Sequence, residues 1–280
     1  MDRELALAAL ILAAVGPALV AGAAWPWRVA RPATARQWED VCCRAIWMPL
    51  LLGAFVFAVL LGWAVIEPKN SERLPTSVLL VSGLFAAVWL RAAARAAWAL
   101  RQRLSRVPAG TVGFWRPRIV LSDELIAQLD SRALAAVGAH EAGHVRHRDP
   151  LRIWLAQFAI DLQWPWPGAW RRFEEWRRVL ELARDEEARV GGTDGADLAA
   201  AVLTAARLGA PRPNIAGLIE PGANLLDRIG RLLAPLPVDQ PSALNTGARA
   251  LVPLCVFVLA ALSGARFGEA LVQLVVKSLP

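Results

Sequence analysis

The segment His140-Glu141-Ala142-Gly143-His144 lies inside a run, residues 133–149, whose start and stop signals read as one helix. Asp130-Ser131 supplies the N-terminal cap, and Asp149-Pro150 ends the helix. On a helix, positions i and i+4 share a face, so the imidazoles of His140 and His144 can converge on one metal ion. Glu141 is rotated by roughly 100° from His140, from the 3.6-residue period, and can reach a water at that ion. This is the H-E-x-x-H arrangement, two zinc ligands and a general base. Only three of its five positions are strict, so its surroundings decide its weight.

Those surroundings are unusually apolar. Of 280 residues, 56% are hydrophobic and the mean hydropathy is +0.39, beyond an ordinary soluble domain. A charged fraction of 20% is too high for a chain wholly within a bilayer, so a membrane part joined to a water-facing part is expected. The net charge of +7 comes mainly from arginines flanking apolar runs, the pattern of positive-inside topology. No basic-aromatic groove motif accompanies it, and direct nucleic-acid binding is not expected. Cys42, Cys43 and Cys255 have neither metal-site nor disulfide spacing.

Residues 5–27, 45–66 and 74–90, the last continuing to about residue 100, are long enough to span a bilayer. Arg91 and Arg95 would snorkel to the headgroups. A fourth span is expected at 250–265, reaching toward 276, although Pro253, Arg266 and Glu269 interrupt it. The first loop and the segment after the third span are Arg-rich, whereas the second loop is charge-balanced. Both basic segments are therefore expected in the cytoplasm, with the N-terminus outside. The expected division is a three-span membrane region at 1–100, a cytoplasmic domain at 101–249, and a fourth span with a short outer tail at 250–280.

Within the cytoplasmic domain, residues 111–121 read as a short hairpin or edge strand around Arg116-Pro117. Ser122 caps a short helix to about residue 129. Helices follow at 151–163, 171–190, 194–208 and 225–233, with a loop at 210–221 and a Pro-rich linker at 235–241. The loop Trp164–Trp170, with four tryptophans or prolines in its first four positions, suits either the headgroup layer or a buried turn.

A catalytic zinc usually takes three protein ligands and keeps one position open. His147 is the near candidate for the third, but three ligands along one straight helix diverge. Glu181, about 40 residues on and on a second helix, could fold back, with Asp185 its i+4 neighbour free to orient a histidine. From the residues alone Glu181 competes with Glu174, Glu175, Glu186 and Glu187.

Three segments taken together resemble the BlaR/MecR-type antirepressor membrane metallopeptidases. They are Gly113-Phe114-Trp115-Arg116-Pro117-Arg118-Ile119-Val120-Leu121, His140-Glu141-Ala-Gly-His144 with Asp149 five residues beyond, and Glu181-Leu-Ala-Arg-Asp185. The Trp164–Trp170 loop and Asp227-Arg228-Ile229 also fall where that family has similar segments. The resemblance implies a mainly α fold of four transmembrane helices plus a cytoplasmic α+β zincin-like domain. It implies a Zn²⁺-dependent endopeptidase with His140, His144 and Glu181 as ligands, Glu141 as base, and Asp149 and Asp185 supporting them. The strand carrying Gly113, Phe114, Trp115 and Ile119 would bind substrate backbone by strand addition. The expected partners are the lipid bilayer and a protein substrate, a cytoplasmic transcriptional repressor or the chain itself. Family members that sense β-lactams carry an outer penicillin-binding domain after the last span. This chain stops at Pro280, so a signal is expected to arrive through a sensor partner, a homo-oligomer, the spans or the outer loop. Two other readings remain at this point: a maturation or quality-control protease of membrane proteins, and a non-catalytic transducer that keeps the fold.

Overall fold

The computed structural model describes residues 3–25, 34–66, 74–101, 108–208, 221–236 and 256–265, and positions 267, 268, 270, 273, 274 and 277. Three long apolar helices come first: α1 (Arg3–Ala24), α2 (Ala35–Ile66) and α3 (Thr76–Arg101). Each is long and apolar enough to cross a membrane, and α1 packs against both others.

Helix α2 starts ten residues before the span expected at 45–66. Its N-terminal amide groups have partners that account for the extension. Thr34 Oγ1 accepts from Gln37 N at 3.3 Å, and the distant Glu186 carboxylate accepts from Ala35 N at 2.6 Å. Capping donors in this way satisfies groups that helix geometry leaves free. At 1.5 Å per residue a 32-residue helix is about 48 Å long, well beyond the ~30 Å of a hydrocarbon core. In its N-terminal half Ala35, Trp38, Cys42 and Ile46 share one core with two later helices, α6 (Asp149–Asp161) and α7 (Pro167–Val190), so packing joins residues on either side of position 100.

Arg91 and Arg95 on α3 lie beside Asp161, the last residue of α6, with Arg95 Nε at 3.0 Å and the Nη1 of the exposed Arg91 at 3.8 Å. Asp161 is buried, and a buried carboxylate is costly without cations beside it.

The strand region is a two-stranded antiparallel hairpin, β1 (Ala109–Val112) and β2 (Arg118–Leu121), with Thr111 opposite Ile119. Residues 113–117 form its turn, so Gly113, Phe114 and Trp115 do not lie on a strand. Gly113 has φ +99°, and a Cβ there would meet the Arg116 carbonyl at 2.8 Å. A side chain at this turn would be strained on both counts.

Six helices follow: α4 (Asp123–Gln128), α5 (Ser131–His147), α6 (Asp149–Asp161), α7 (Pro167–Val190), α8 (Gly195–Leu208) and α9 (Pro221–Leu233). Ser122 and Asp130 cap α4 and α5 through Leu125 N and Ala133 N. Arg148, in the left-handed region at φ 52°, turns the chain from α5 into α6, and Pro150 sits in the first turn of α6. Pro167 likewise opens α7, where a missing N–H costs nothing. On α7, Phe173, Trp176, Leu180 and Ala183 recur at helical spacing and face α2 and α6. This common core fixes α7 against the N-terminal half of α2.

Most of the loop at 210–221 and the linker at 235–241 lies outside the described residues. So does part of the fourth predicted span. Its described helix, Val256–Ala265, has ten residues and is shorter than a span. It packs closely on α2: a Cβ on Gly62 would meet the Ala261 carbonyl, and one on Gly264 the Val59 carbonyl. Reciprocal small residues are how apolar helices approach in lipid.

Trp176 is fully buried at the junction of α2 and α7. Trp176→Ala should destabilise the protein by about 3–5 kcal/mol, by lost burial plus a cavity. Thermal unfolding in detergent would read this as a clear fall in Tm.

Candidate metal centre

The site is built where α5 and α7 cross. Along α5, Ala133, Val137, His140 and His144 fall on one buried face, so the apolar stripe that anchors the helix ends in the two imidazoles. The neighbouring face of α7 carries Glu181, Arg184 and Asp185. Gly143 lets the helices approach, since a Cβ there would stand 3.0 Å from Arg184 Cδ.

His140 Nε2 and His144 Nε2 are 3.1 Å apart. Glu181 Oε2 lies 3.5 Å from the first and Oε1 3.7 Å from the second. A tetrahedral zinc with bonds of about 2.0–2.2 Å would separate its ligand atoms by roughly 3.3–3.6 Å. The three side chains therefore fit one ion, with all ligand atoms within 4.8 Å of one another. Glu174, Glu175, Glu186 and Glu187 do not join this group. His147 also turns away, to Glu187 Oε2 at 3.0 Å.

The far nitrogen of each imidazole faces a carboxylate. His144 Nδ1 is 2.9 Å from Asp149 Oδ2. His140 Nδ1 is 2.8 Å from Asp185 Oδ1, an ion-pair contact out of line with the ring N–H direction. A carboxylate behind each ring fixes its orientation and raises its basicity as a ligand. The carboxylates are held in turn by buried arginines. Arg184 Nε donates to Asp149 at 2.6 Å. Arg228 on α9 makes a bidentate pair with Asp185, at 2.6 and 2.8 Å, and its Nη1 lies 3.3 Å from Glu181.

This arrangement sets the charges. Burial opposes ionisation of Asp149, but His144 and Arg184 outweigh it and hold the carboxyl down at about 2. Burial likewise opposes ionisation of Glu181 and Asp185. His140, with His144 and Arg228, keeps Glu181 well below the usual carboxylate range, and Arg228 and His140 keep Asp185 low. Burial disfavours a charged His140 as well, yet the adjacent Asp185 and Glu181 push its pKa up to about 9.

Glu141 is buried beside the two histidines. Its Oε2 accepts a hydrogen bond from Thr111 Oγ1 at 2.8 Å, which ties the hairpin to the motif helix. Thr111 and Arg228 received no role from the sequence. Nothing in a four-residue strand announces that one hydroxyl will meet a glutamate 30 positions on. Arg228 stood in a family-like triplet, but only the fold shows what it pairs with.

The site opens into a cleft of about 1790 Å³ lined by the hairpin and by α3, α5, α6, α7, α8 and α9. Phe114 reaches its wall by packing on Trp154, with ring centroids 5.9 Å apart. Gly113 also lines it, whereas Trp115 and Ile119 point elsewhere.

In the metal-free protein His140 is protonated below about pH 9, and a metal ligand must give up that proton. Zinc binding should therefore release a proton at neutral pH. Apparent affinity should fall as pH drops below 9 and level off above it. Calorimetry in buffers of different ionisation enthalpy checks this; binding with no proton release would contradict it.

A family model described as BlaR1 peptidase M56 matches residues 17–190, from within α1 to the end of α7. No curated protein and no solved structure matches significantly. The match covers more than half of the chain and includes both helices that carry the His-His-Glu group. The chain therefore belongs to the BlaR1 peptidase M56 family, whose members are membrane peptidases.

Proposed function

We propose that this chain is a zinc-dependent endopeptidase with His140, His144 and Glu181 as ligands and Glu141 as the general base. The observation that carries the reading is a complete set of groups in one cleft: three convergent ligands, a carboxylate behind each imidazole, and a buried base fixed by Thr111. Bound zinc supplies Lewis acidity, lowering the pKa of a water and polarising a carbonyl. Glu141 takes the proton from the attacking water and delivers it to the leaving amine. Thr111 occupies Oε2, which leaves Oε1 free for that proton. Arg228 places positive charge beside the point where negative charge develops on the scissile carbonyl. Water being the nucleophile, no covalent enzyme intermediate forms. Asp149 and Asp185 orient the ligands and touch no substrate.

The hairpin supports the binding of an extended substrate. One edge of β1 pairs with β2, and Thr111 on β1 faces Glu141. A peptide laid along β1 would add a strand and bring its carbonyl past the base. This assigns backbone recognition to residues 109–112 rather than to the turn residues Gly113, Phe114 and Trp115 or to Ile119.

By the arginine asymmetry, the peptidase domain at 101–249 faces the cytoplasm and the N-terminus lies outside. The family implies a signalling protease, and the substrate we propose is a cytoplasmic transcriptional repressor, or the chain itself. An intact Glu141 disfavours a non-catalytic transducer, because a degenerate site would be expected to lose its base.

Glu141→Gln should retain one zinc per chain and lose cleavage by about 10²–10⁴-fold, the range for removal of a general base. Comparing the proteomes of cells carrying wild type or this variant should reveal a protein cut only by the former. Undiminished cleavage by the variant would remove the mechanism.

A further inference from the structure

Glu39 lies on the N-terminal turns of α2 and is buried, with a side chain only 5% exposed. A carboxylate so deeply placed is costly unless it is paired and hydrogen-bonded. One oxygen accepts from Arg152 Nη2 at 2.5 Å, the other from Arg184 Nη2 at 3.3 Å. The same two guanidinium groups hold Asp149, through Arg152 Nη1 at 2.8 Å and Arg184 Nε at 2.6 Å. Asp149 in turn meets Nδ1 of His144. Two carboxylates thus share two arginines, and one of them grips a candidate ligand.

The same helix reaches the other imidazole by a separate route. Trp38, next to Glu39, lies under Arg178 at 4.8 Å and Arg231 at 5.5 Å. Arg231 stands on α9, less than one turn from Arg228, which binds Asp185 behind His140. The first turns of α2 thus pair with the arginines that hold Asp149 and also pack against α9, the helix that carries Arg228.

We propose that Glu39 is a positioning residue for His144, and that α2 sets through it how tightly the site holds its ion. The inference rests on the zinc reading above. Its physical basis is charge balance. With Glu39 present, Arg152 divides between Glu39 and Asp149, and Arg184 among Glu39, Asp149 and, through Nη1 at 3.1 Å, Glu187. Without it Arg152 is left to Asp149 alone and Arg184 turns further toward Asp149, which becomes a poorer acceptor for the His144 N–H, and His144 becomes a poorer ligand. A displacement of α2 that withdrew Glu39 would have the same effect, so the helix could modulate the site without moving any metal ligand itself.

The test is zinc affinity of the full chain in nanodiscs, measured by competition with a chromophoric chelator. Glu39→Gln should weaken zinc about 10–100-fold, the cost typical of losing a supporting contact, whereas Glu124→Gln on the exposed face of α4 should leave it unchanged. Arg152→Met alone should bind zinc as tightly as wild type or tighter, because Asp149 then answers to one cation. In the double variant, removal of one cation with one anion should return affinity to near the wild-type value. A merely structural role predicts instead that every one of these buried changes weakens binding and that the losses accumulate. Wild-type affinity in Glu39→Gln would overturn the proposal. So would a tenfold loss in Arg152→Met, a readout that holds even if Glu39→Gln does not fold. Absence of zinc from the wild type would instead overturn the metal-centre reading on which the proposal rests.

Discussion

The candidate metal centre depends on holding two imidazole nitrogens 3.1 Å apart with a carboxylate from another helix facing both. Anions surround this pair. Asp149 and Asp185 sit behind the rings and Glu181 in front. Asp149 and Asp185 must be kept charged out of bulk water, and that is the work of Arg184 and Arg228, whereas Glu181 stays partly exposed. Charge pairing therefore constrains which residues can occupy the α5–α7 crossing. Packing fixes where that crossing lies, through the core that Phe173, Trp176 and Leu180 form with α2.

The same accounting blurs the line between the membrane region and the peptidase. A 32-residue helix is longer than a bilayer requires, and its N-terminal turns pack Trp38 and Glu39 against the helices around the candidate metal centre. Arg95 on α3 meets Asp161 on α6 for a related reason. Arginines that look from composition like snorkelling, positive-inside residues are in part the counter-ions of buried carboxylates more than 60 positions away. The membrane-length helices and the helices around the candidate metal centre are packed together at these junctions.

Local signals in the chain were readable because local physics produces them. The His140–His144 spacing, the caps at Ser122 and Asp130, and the Asp149-Pro150 stop all act within a few residues, and each appears in the fold where the pattern indicated. Glu181 with Asp185 was distinguishable from its acidic neighbours only by resemblance, since helical period alone admits several glutamates. The hairpin around Arg116-Pro117 was legible, but Gly113, Phe114 and Trp115, expected on a strand, fall in its turn, where a positive φ and a tight carbonyl contact at Gly113 require one. The early start of α2, the role of Thr111 and the pairing of Arg228 were illegible for one shared reason. Each depends on a partner brought close by tertiary folding, at a separation in sequence that no periodicity encodes.

X-ray absorption spectroscopy of the zinc-loaded full chain tests the central claim most directly. The account predicts a four-coordinate ion with two imidazoles and oxygen ligands at about 2.0–2.2 Å, with one imidazole lost in His140→Ala or His144→Ala and the oxygen shell altered in Glu181→Ala. A spectrum dominated by sulfur, or one that none of the three substitutions changes, would contradict it.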